Sequence, residues 1–368
     1  MNTIASKGVN VKVGIMTFHW GTNYGGVLQA YALQQFLIKH EIDASIINYK
    51  KITHKNSIIR CFKAKSFNRI MKNIDEYKQE RKFIPFRKKY LNLTEAFFNI
   101  EDVKKGTKNI DVYICGSDQI WNPYIALSYG FPYFLPFETG HRKKISYAVS
   151  LGCEVYPKAI FKKVAPYIKQ FDSISVREKT AVKNLQDNGI TDVALMPDPV
   201  LLLDQEDFNK IAVACHPDIN KKNYCFFYVL QENQYTIKKI KENLKDKICL
   251  LEASGNRQHL AVEEWVSAIA NSEFVITNSF HGVVFSLLYH KNFIVIPIEG
   301  PLDGMNDRIH TLLSYFDLND FVLNLYDNDS IDRLLNKRID WVKVEMVRKS
   351  LVEKATNYLI GKINENSI

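Results

Sequence analysis

Short apolar runs alternate with amphipathic stretches along nearly the whole chain. The runs at Val11–Met16, Ser45–Asn48, Asp111–Cys115, Lys144–Ala148, Ser173–Val176 and Asp192–Leu195 predict strands. After Leu203 the pattern starts again, at Tyr224–Leu230, Ile248–Leu251, Phe274–Thr277 and Phe293–Pro297. Helical spacing fills the intervals, notably over Tyr235–Leu244, Leu260–Ala270 and Val283–Tyr289. Strands separated by helices predict mainly parallel sheets with right-handed crossovers, hence an α/β fold. In such sheets ligands bind beyond the carboxyl ends of the strands, so functional residues are expected just after each run.

The stretch VGIMTFHWGTNYGGVLQAYALQQFL, residues 13–37, shows this plan most clearly: an apolar strand, a polar glycine turn and an amphipathic helix. Asn23, Gly25 and Gly26 let the chain turn sharply, and free amides at the helix start suit an anion. The turn is neither GxGxxG nor GK[ST], and a purely structural role is the alternative. Farther on, MPDPVLLLDQEDF carries two prolines and then acids, which marks the expected domain change near residue 203. The tail from Ser330 to Ile360 is helical in pattern, with Leu334, Leu335, Ile339, Val342 and Met346 available to brace two domains.

A length of 368 residues suits two domains, and 46% hydrophobic with 24% charged residues is a soluble globular balance. No run of eighteen apolar residues occurs, and the N-terminus lacks a signal-peptide core, so a cytoplasmic location is expected. Cys61, Cys115, Cys153, Cys215, Cys225 and Cys249 are scattered without CxxC, which predicts buried free thiols. There is no HExxH, EF-hand loop or GxSxG, so no metal site is expected.

Charge changes the picture in one place. Lys50–Lys89 holds fourteen lysines and arginines against three acids, interleaved with Phe62, Phe67, Phe83, Ile84 and Phe86. This segment reads either as a solvated insertion packed through its aromatics or as a surface approaching an anionic membrane. Nucleic acid is not expected, because no recognition motif accompanies the charge.

Four polar clusters follow predicted strands. In CGSDQIWNP, Ser117, Asp118, Gln119 and Asn122 offer hydrogen bonds, and Trp121 offers a stacking face for a sugar; a core tryptophan is the alternative. In ISVRE, Arg177 is placed to grip a carboxylate or phosphate, unless it pairs locally with Glu178. In VITNSFHG, Asn278, Ser279 and His281 open an apolar helix, where the histidine could hold a proton near a ligand or be satisfied by backbone carbonyls. In GMNDRIHTLL, Asn306 and Arg308 could close over a ligand. His19 and Asp198 also end strand-like runs and are weaker candidates.

In order along the chain, TFHWGTNYGGVLQAYALQ, CGSDQIWNP, ISYAVSLG, ISVRE, MPDPVLLL, TNSFHGVVFS and NDRI together resemble the polysaccharide pyruvyl transferase family. They span roughly residues 13–313 and leave out the basic segment 50–89 and the tail.

The resemblance implies a GT-B-like fold of two Rossmann-like domains facing across a cleft. These would be an acceptor-side domain over 1–203, a phosphoenolpyruvate-side domain over 204–329 and a bracing helical segment over 330–368. It implies transfer of the pyruvyl group of phosphoenolpyruvate onto a sugar of a surface polysaccharide as a cyclic ketal, with phosphate released. No cofactor is implied beyond phosphoenolpyruvate as donor.

The acceptor sugar would be free in a glycan or carried on polyprenyl diphosphate, with peripheral contact to the inner membrane face. Arg177, Asn278, Ser279 and Arg308 map to the donor side, with His281 as acid and Asp118 as base. Asn23, Tyr24, Gly25, Gly26, Gln29, Ser117, Gln119, Trp121 and Asn122 map to the acceptor side or cleft. Phe280 stands where some branches of the family carry a basic residue. A sugar-nucleotide glycosyltransferase and a non-catalytic glycan- or phosphate-binding protein of the same fold are the competing readings.

Overall fold

The computed structural model describes residues 11–50, 67–125, 131–137, 140–212, 223–230, 234–245, 247–253, 259–300, 303–327 and 329–365. Cys61, Phe62, Cys215, the Phe67 side chain and the basic stretch 51–66 lie outside them.

Two four-stranded parallel sheets organise the protein. The first takes β1 (Lys12–Met16), β2 (Asp43–Ile46), β3 (Val112–Cys115) and β4 (Lys143–Ser146) in the order β2-β1-β3-β4. Single bridges from Ile145 to Ser173 and from Val149 to Val176 link it to a small pair, β5 (Ser175–Val176) and β6 (Ala194–Leu195). The second takes β7 (Tyr224–Tyr228), β8 (Cys249–Glu252), β9 (Phe274–Thr277) and β10 (Asn292–Val295) in the order β10-β9-β7-β8. Both orders are the same when counted from the first strand of each sheet. Each sheet thus has a switch point, between β1 and β3 and between β7 and β9, where a crevice opens past the strand ends.

Burial explains the continuous apolar character of these strands. β3, β7 and β9 are buried at every position, as parallel strands covered on both faces must be. Helix α1 (Tyr24–Lys39) follows β1 and buries thirteen of its sixteen residues, so it is a core helix rather than an amphipathic surface one. Its first residue, Tyr24, crosses to the other half, where its ring stacks on Trp265 at 5.3 Å and its hydroxyl donates to the Leu260 carbonyl at 2.8 Å. One hydrophobic cluster runs from β1 through α1 to β7, β9 and the last helix.

The basic segment forms α2 (Phe67–Tyr90), which lies beside α1. Phe83 and Phe86 are fully buried, whereas Ile84 is exposed. The tail is not one helix. It forms α11 (Ser330–Asn336) and α12 (Trp341–Asn364), with Val342 and Met346 exposed rather than packed; α3 to α10 are Ile100–Gly106, Lys158–Ile168, Lys179–Asp187, Gln205–Asn209, Gln234–Leu244, Val262–Asn271, Phe280–Leu288 and Asn306–Phe316. From α12, Arg348 donates to the Leu201 and Leu203 carbonyls at 3.1 Å and pairs with Asp204 at 2.6 Å. Lys143 on β4 reaches the Lys362 carbonyl at 3.1 Å. Cys115 and Cys225 are buried free thiols, but Cys249 is a free thiol on the surface.

Candidate active site

The two switch points face one another, and the residues after β1, β3, β5 and β9 meet between them. At the centre is Asp198, 1% exposed, on the segment that leaves β6. Its Oδ1 accepts from the Val200 amide at 3.0 Å, capping a single 3-10 turn. Its Oδ2 accepts from Arg177 Nη1 at 2.6 Å and from Ser117 Oγ at 3.0 Å. His281 Nε2 is 3.6 Å from the same oxygen, within ion-pair range but beyond hydrogen-bond length. Burial alone would push this carboxyl up, but His281 and Arg177 hold it well below the usual carboxylate range.

Arg177 is 2% exposed and lies over the Phe280 ring, 4.1 Å from its centroid. Asp198 occupies Nη1, while Nε and Nη2 are buried and have no hydrogen-bond partner. These two form the guanidinium edge that binds carboxylate or phosphate through parallel bonds. His281 Nε2 is likewise buried without a hydrogen bond. Arg308, on the first turn of α10, is 6.0 Å from the Phe280 centroid and 7% exposed; burial, and then Arg177, bring its pKa down to about 10. The Phe280 ring therefore lies against both guanidinium groups.

Arg177 does not pair with Glu178. That carboxylate turns the other way, and its Oε1 accepts from Ser150 Oγ, the Leu151 amide and the Gly152 amide at 3.0, 2.7 and 3.3 Å. Burial pushes the Glu178 carboxyl up, opposed by Arg177 and Arg308.

Asp118 stands on the other side of Arg177, with Oδ1 4.0 Å from Nη2. Its backbone is left-handed, φ 74°, which is strained for a residue other than glycine and turns the side chain toward α1. A Cβ on Gly26 would lie 3.1 Å from Asp118 Oδ2, and one on Gly25 would lie 2.0 Å from His281 Nδ1. Both glycines are close-approach positions. Asn23 caps α1, its side chain accepting from the Gly26 amide at 3.2 Å.

Beside Asp118 a cavity of about 180 Å3 is lined by Phe18, His19, Trp20, Gly21, Asn23, Gly26, Val27, Asp118 and Ile125. His19 donates from Nδ1 to the Thr17 carbonyl at 3.0 Å, and burial lowers its pKa to about 4.

Several expected cleft residues are elsewhere. Trp121 is fully buried; its ring stacks on Phe134 and meets the edge of Phe171, and its N–H donates to the Tyr133 carbonyl at 3.1 Å. It is a core residue and has no face for a sugar. Tyr24 is spent on the contact between halves; Gln29 Nε2 donates to Thr17 Oγ1 and the Gly26 carbonyl, while its Oε1 is buried without a hydrogen-bond partner. Gln119 and Asn122 hydrogen-bond each other at 3.0 Å, and Asn122 also braces the 123–125 turn. Asn278 accepts from the Leu230 amide across the second switch point, and Ser279 caps α9. Asn306 braces the loop at Ile298 rather than closing over a ligand. Asp198, a weak candidate on sequence grounds, is central, and Phe18 and Trp20 line the cavity although no spacing in the sequence marks them.

Residues 23–300 match the sequence profile of polysaccharide pyruvyl transferase. The chain belongs to that family. No curated protein matches it in sequence. In fold, this pyruvyl transferase family member is similar to UDP-N-acetylglucosamine 2-epimerase from Rickettsia bellii, with a TM-score of 0.53, 11% identity and coverage of 96% of this chain and 98% of that one. Medicago truncatula UGT71G1 complexed with UDP-glucose matches at a TM-score of 0.45 and 14% identity, covering 96% and 98% of the two chains. The fold is GT-B-like. Among the described residues, no cluster of histidine, cysteine or carboxylate suits a metal ion, and no helix is long and apolar enough to cross a membrane.

Proposed function

We propose that this protein transfers the pyruvyl group of phosphoenolpyruvate onto two hydroxyls of a saccharide, forming a cyclic ketal and releasing phosphate. The observation that carries the reading is the Nε–Nη2 edge of Arg177, a buried fork without a hydrogen-bond partner, set beside His281 Nε2 in the same condition. A cation buried with two unsatisfied donors is costly, and a planar or tetrahedral anion is the partner that satisfies both. Arg308 adds a second cation. Family membership supplies the reaction class.

In this mechanism charged His281 gives its proton to C3 of the donor, whose anionic groups Arg177 and Arg308 hold. C2 then becomes electron-poor and takes the oxygen of a sugar hydroxyl, while Asp118 accepts the hydroxyl proton. The C2–O bond to phosphate breaks, and the second hydroxyl closes the ketal as its proton leaves with phosphate. Asp198 anchors Arg177 and faces His281, so the cation from one sheet and the acid from the other share one counter-charge.

A membrane-borne acceptor, such as a sugar on polyprenyl diphosphate, fits the position of α2. Arg87 on that helix donates to the carbonyl of Gly21 at 2.6 Å, and Gly21 lines the cavity. The exposed Lys78, Arg81, Lys88 and Lys89 would meet anionic headgroups at the inner membrane face.

The test is phosphate release from phosphoenolpyruvate with a panel of hexose and hexosamine acceptors, with the sugar weighed for an added pyruvate ketal. Arg177→Ala should raise the donor KM, and His281→Asn should slow single-turnover transfer. Unchanged kinetics in both variants would defeat these roles.

A further inference from the structure

Glu178 turns away from Arg177, yet its carboxylate reaches the site by another route. It is 1% exposed, and its Oε1 alone accepts from Ser150 Oγ, the Leu151 amide and the Gly152 amide. These three bonds clamp the turn 150–152, which lies beyond β4 and carries left-handed backbone at Ala148, φ 48°, and Gly152, φ 59°. The other oxygen, Oε2, is buried without a hydrogen-bond partner.

The clamped turn is bonded directly to Asp118. The Ser150 amide donates to the Asp118 carbonyl at 2.9 Å, and Val149 pairs with Asp118 in a parallel bridge. Val149 is bridged in turn to Val176, and its carbonyl accepts from the Arg177 amide at 3.0 Å. Asp118 itself, at φ 74°, holds a conformation that persists only where the surroundings impose it. Its Oδ1 accepts from the Gln119 amide at 2.8 Å, so the direction of Oδ2 follows from the backbone.

We infer that Glu178 is a positioning residue: by bonding the turn 150–152 it holds Asp118 in its left-handed conformation, with Oδ2 directed at the start of α1. Its importance for turnover rests on the reading of Asp118 as the base. The effect travels through bond geometry rather than charge, so reach matters and ionisation does not. A carboxamide keeps an oxygen at the same reach and replaces only Oε2, which bonds to nothing. A carboxylate one methylene shorter keeps the charge and loses the reach.

The experiment compares Glu178→Gln with Glu178→Asp in the full chain. It reads steady-state transfer from phosphoenolpyruvate and the carboxyl carbon resonance of Asp118, assigned through Asp118→Asn. Glu178→Asp should lower kcat about a hundredfold with donor KM unchanged, as a misplaced catalytic group does, and should move the Asp118 resonance. Glu178→Gln should keep most of kcat and leave that resonance in place. A merely structural carboxylate would alter stability without this split.

Full kcat in Glu178→Asp would overturn the inference, as would an equal loss of kcat in both variants. A changed donor KM with kcat intact would also overturn it, and would assign Glu178 to the charge balance of Arg177 and Arg308. If Glu178→Asp fails to fold, Ser150→Ala decides, since it removes one of the three bonds and keeps the amide bond to Asp118. It should move the Asp118 resonance and lower kcat in smaller measure, and an unmoved resonance would overturn the inference. A resonance that moves in Glu178→Asp but not in Glu178→Gln, in a protein that transfers no pyruvyl group, would leave the positioning in place and remove the transfer reading. Transfer as fast in both variants as in the parent would do the reverse.

Discussion

Gly25 and His281 come from different halves of the protein, yet a single added carbon on Gly25 would lie 2.0 Å from the imidazole Nδ1 and 2.4 Å from Cγ. The start of α1 is therefore the wall against which the candidate acid is seated. Elsewhere in a helix, alanine in place of glycine helps by about 1 kcal/mol. Here it must displace the ring or the helix.

Gly25→Ala is accordingly expected to keep the fold while losing about 1–3 kcal/mol to overpacking. Its kcat should fall much more than its donor affinity changes, because the imidazole leaves its place beside Asp198. Gly26→Ala, where the nearest atom is Asp118 Oδ2 at 3.1 Å, should be milder. The two variants are compared by turnover and by the histidine Cε1–H resonances. A Gly25→Ala protein with an unshifted His281 resonance and full turnover would show that the seat is not needed.

Trp121 gives a second prediction, of opposite kind. Its indole is enclosed by Phe134, Phe171 and Tyr133, so Trp121→Ala should cost about 3–5 kcal/mol in urea unfolding. Saccharide binding per folded molecule should be unaffected. A variant of normal stability that has lost sugar binding would restore Trp121 to the cleft.

The contrast between Trp121 and Trp20 shows what the sequence could carry. Strand β9 is found where the apolar run Phe274–Thr277 predicts it, because a fully buried parallel strand is continuous in sequence. The turns after β1, β3, β5 and β9 follow from the same alternation. The face of a tryptophan does not. Trp121 is enclosed by Tyr133, Phe134 and Phe171, ten or more residues away. The centrality of Asp198 is hidden from the sequence for the same reason, since its partners Ser117, Arg177 and His281 are distant along the chain. The tail divides because residues 337–340 leave the helical path before Asp340 caps α12 on the Lys343 amide.

His19 makes stability depend on pH in a defined window. Its pKa falls from 6.5 to about 4 on folding, chiefly because burial disfavours the charged ring. The unfolded chain therefore takes up this proton first as pH drops. The associated stability is complete above about 6.5 and is lost progressively down to about 4, amounting to about 3 kcal/mol at most. His19→Gln, which does not titrate, should flatten the urea-unfolding stability curve between those limits, even if it is less stable at neutral pH. Identical slopes for both proteins would mean that other groups govern the acid response.

The membrane contact proposed for the basic helix α2 can be tested apart from the chemistry. Lys78, Arg81, Lys88 and Lys89 are exposed on it, and none touches Asp118, Arg177, Asp198 or His281. Each lysine or arginine near an anionic surface contributes about 1 kcal/mol, so replacing all four with glutamine should weaken binding to phosphatidylserine or cardiolipin vesicles about a thousandfold. The loss should be largest at low ionic strength, because these charges are open to screening. Turnover on a short soluble saccharide should stay at its original rate, since the cavity and the Arg177 fork are unaltered. Activity on a vesicle-embedded, lipid-linked sugar should fall with binding. Equal vesicle binding before and after the replacement would assign α2 a packing role through Phe83 and Phe86 alone.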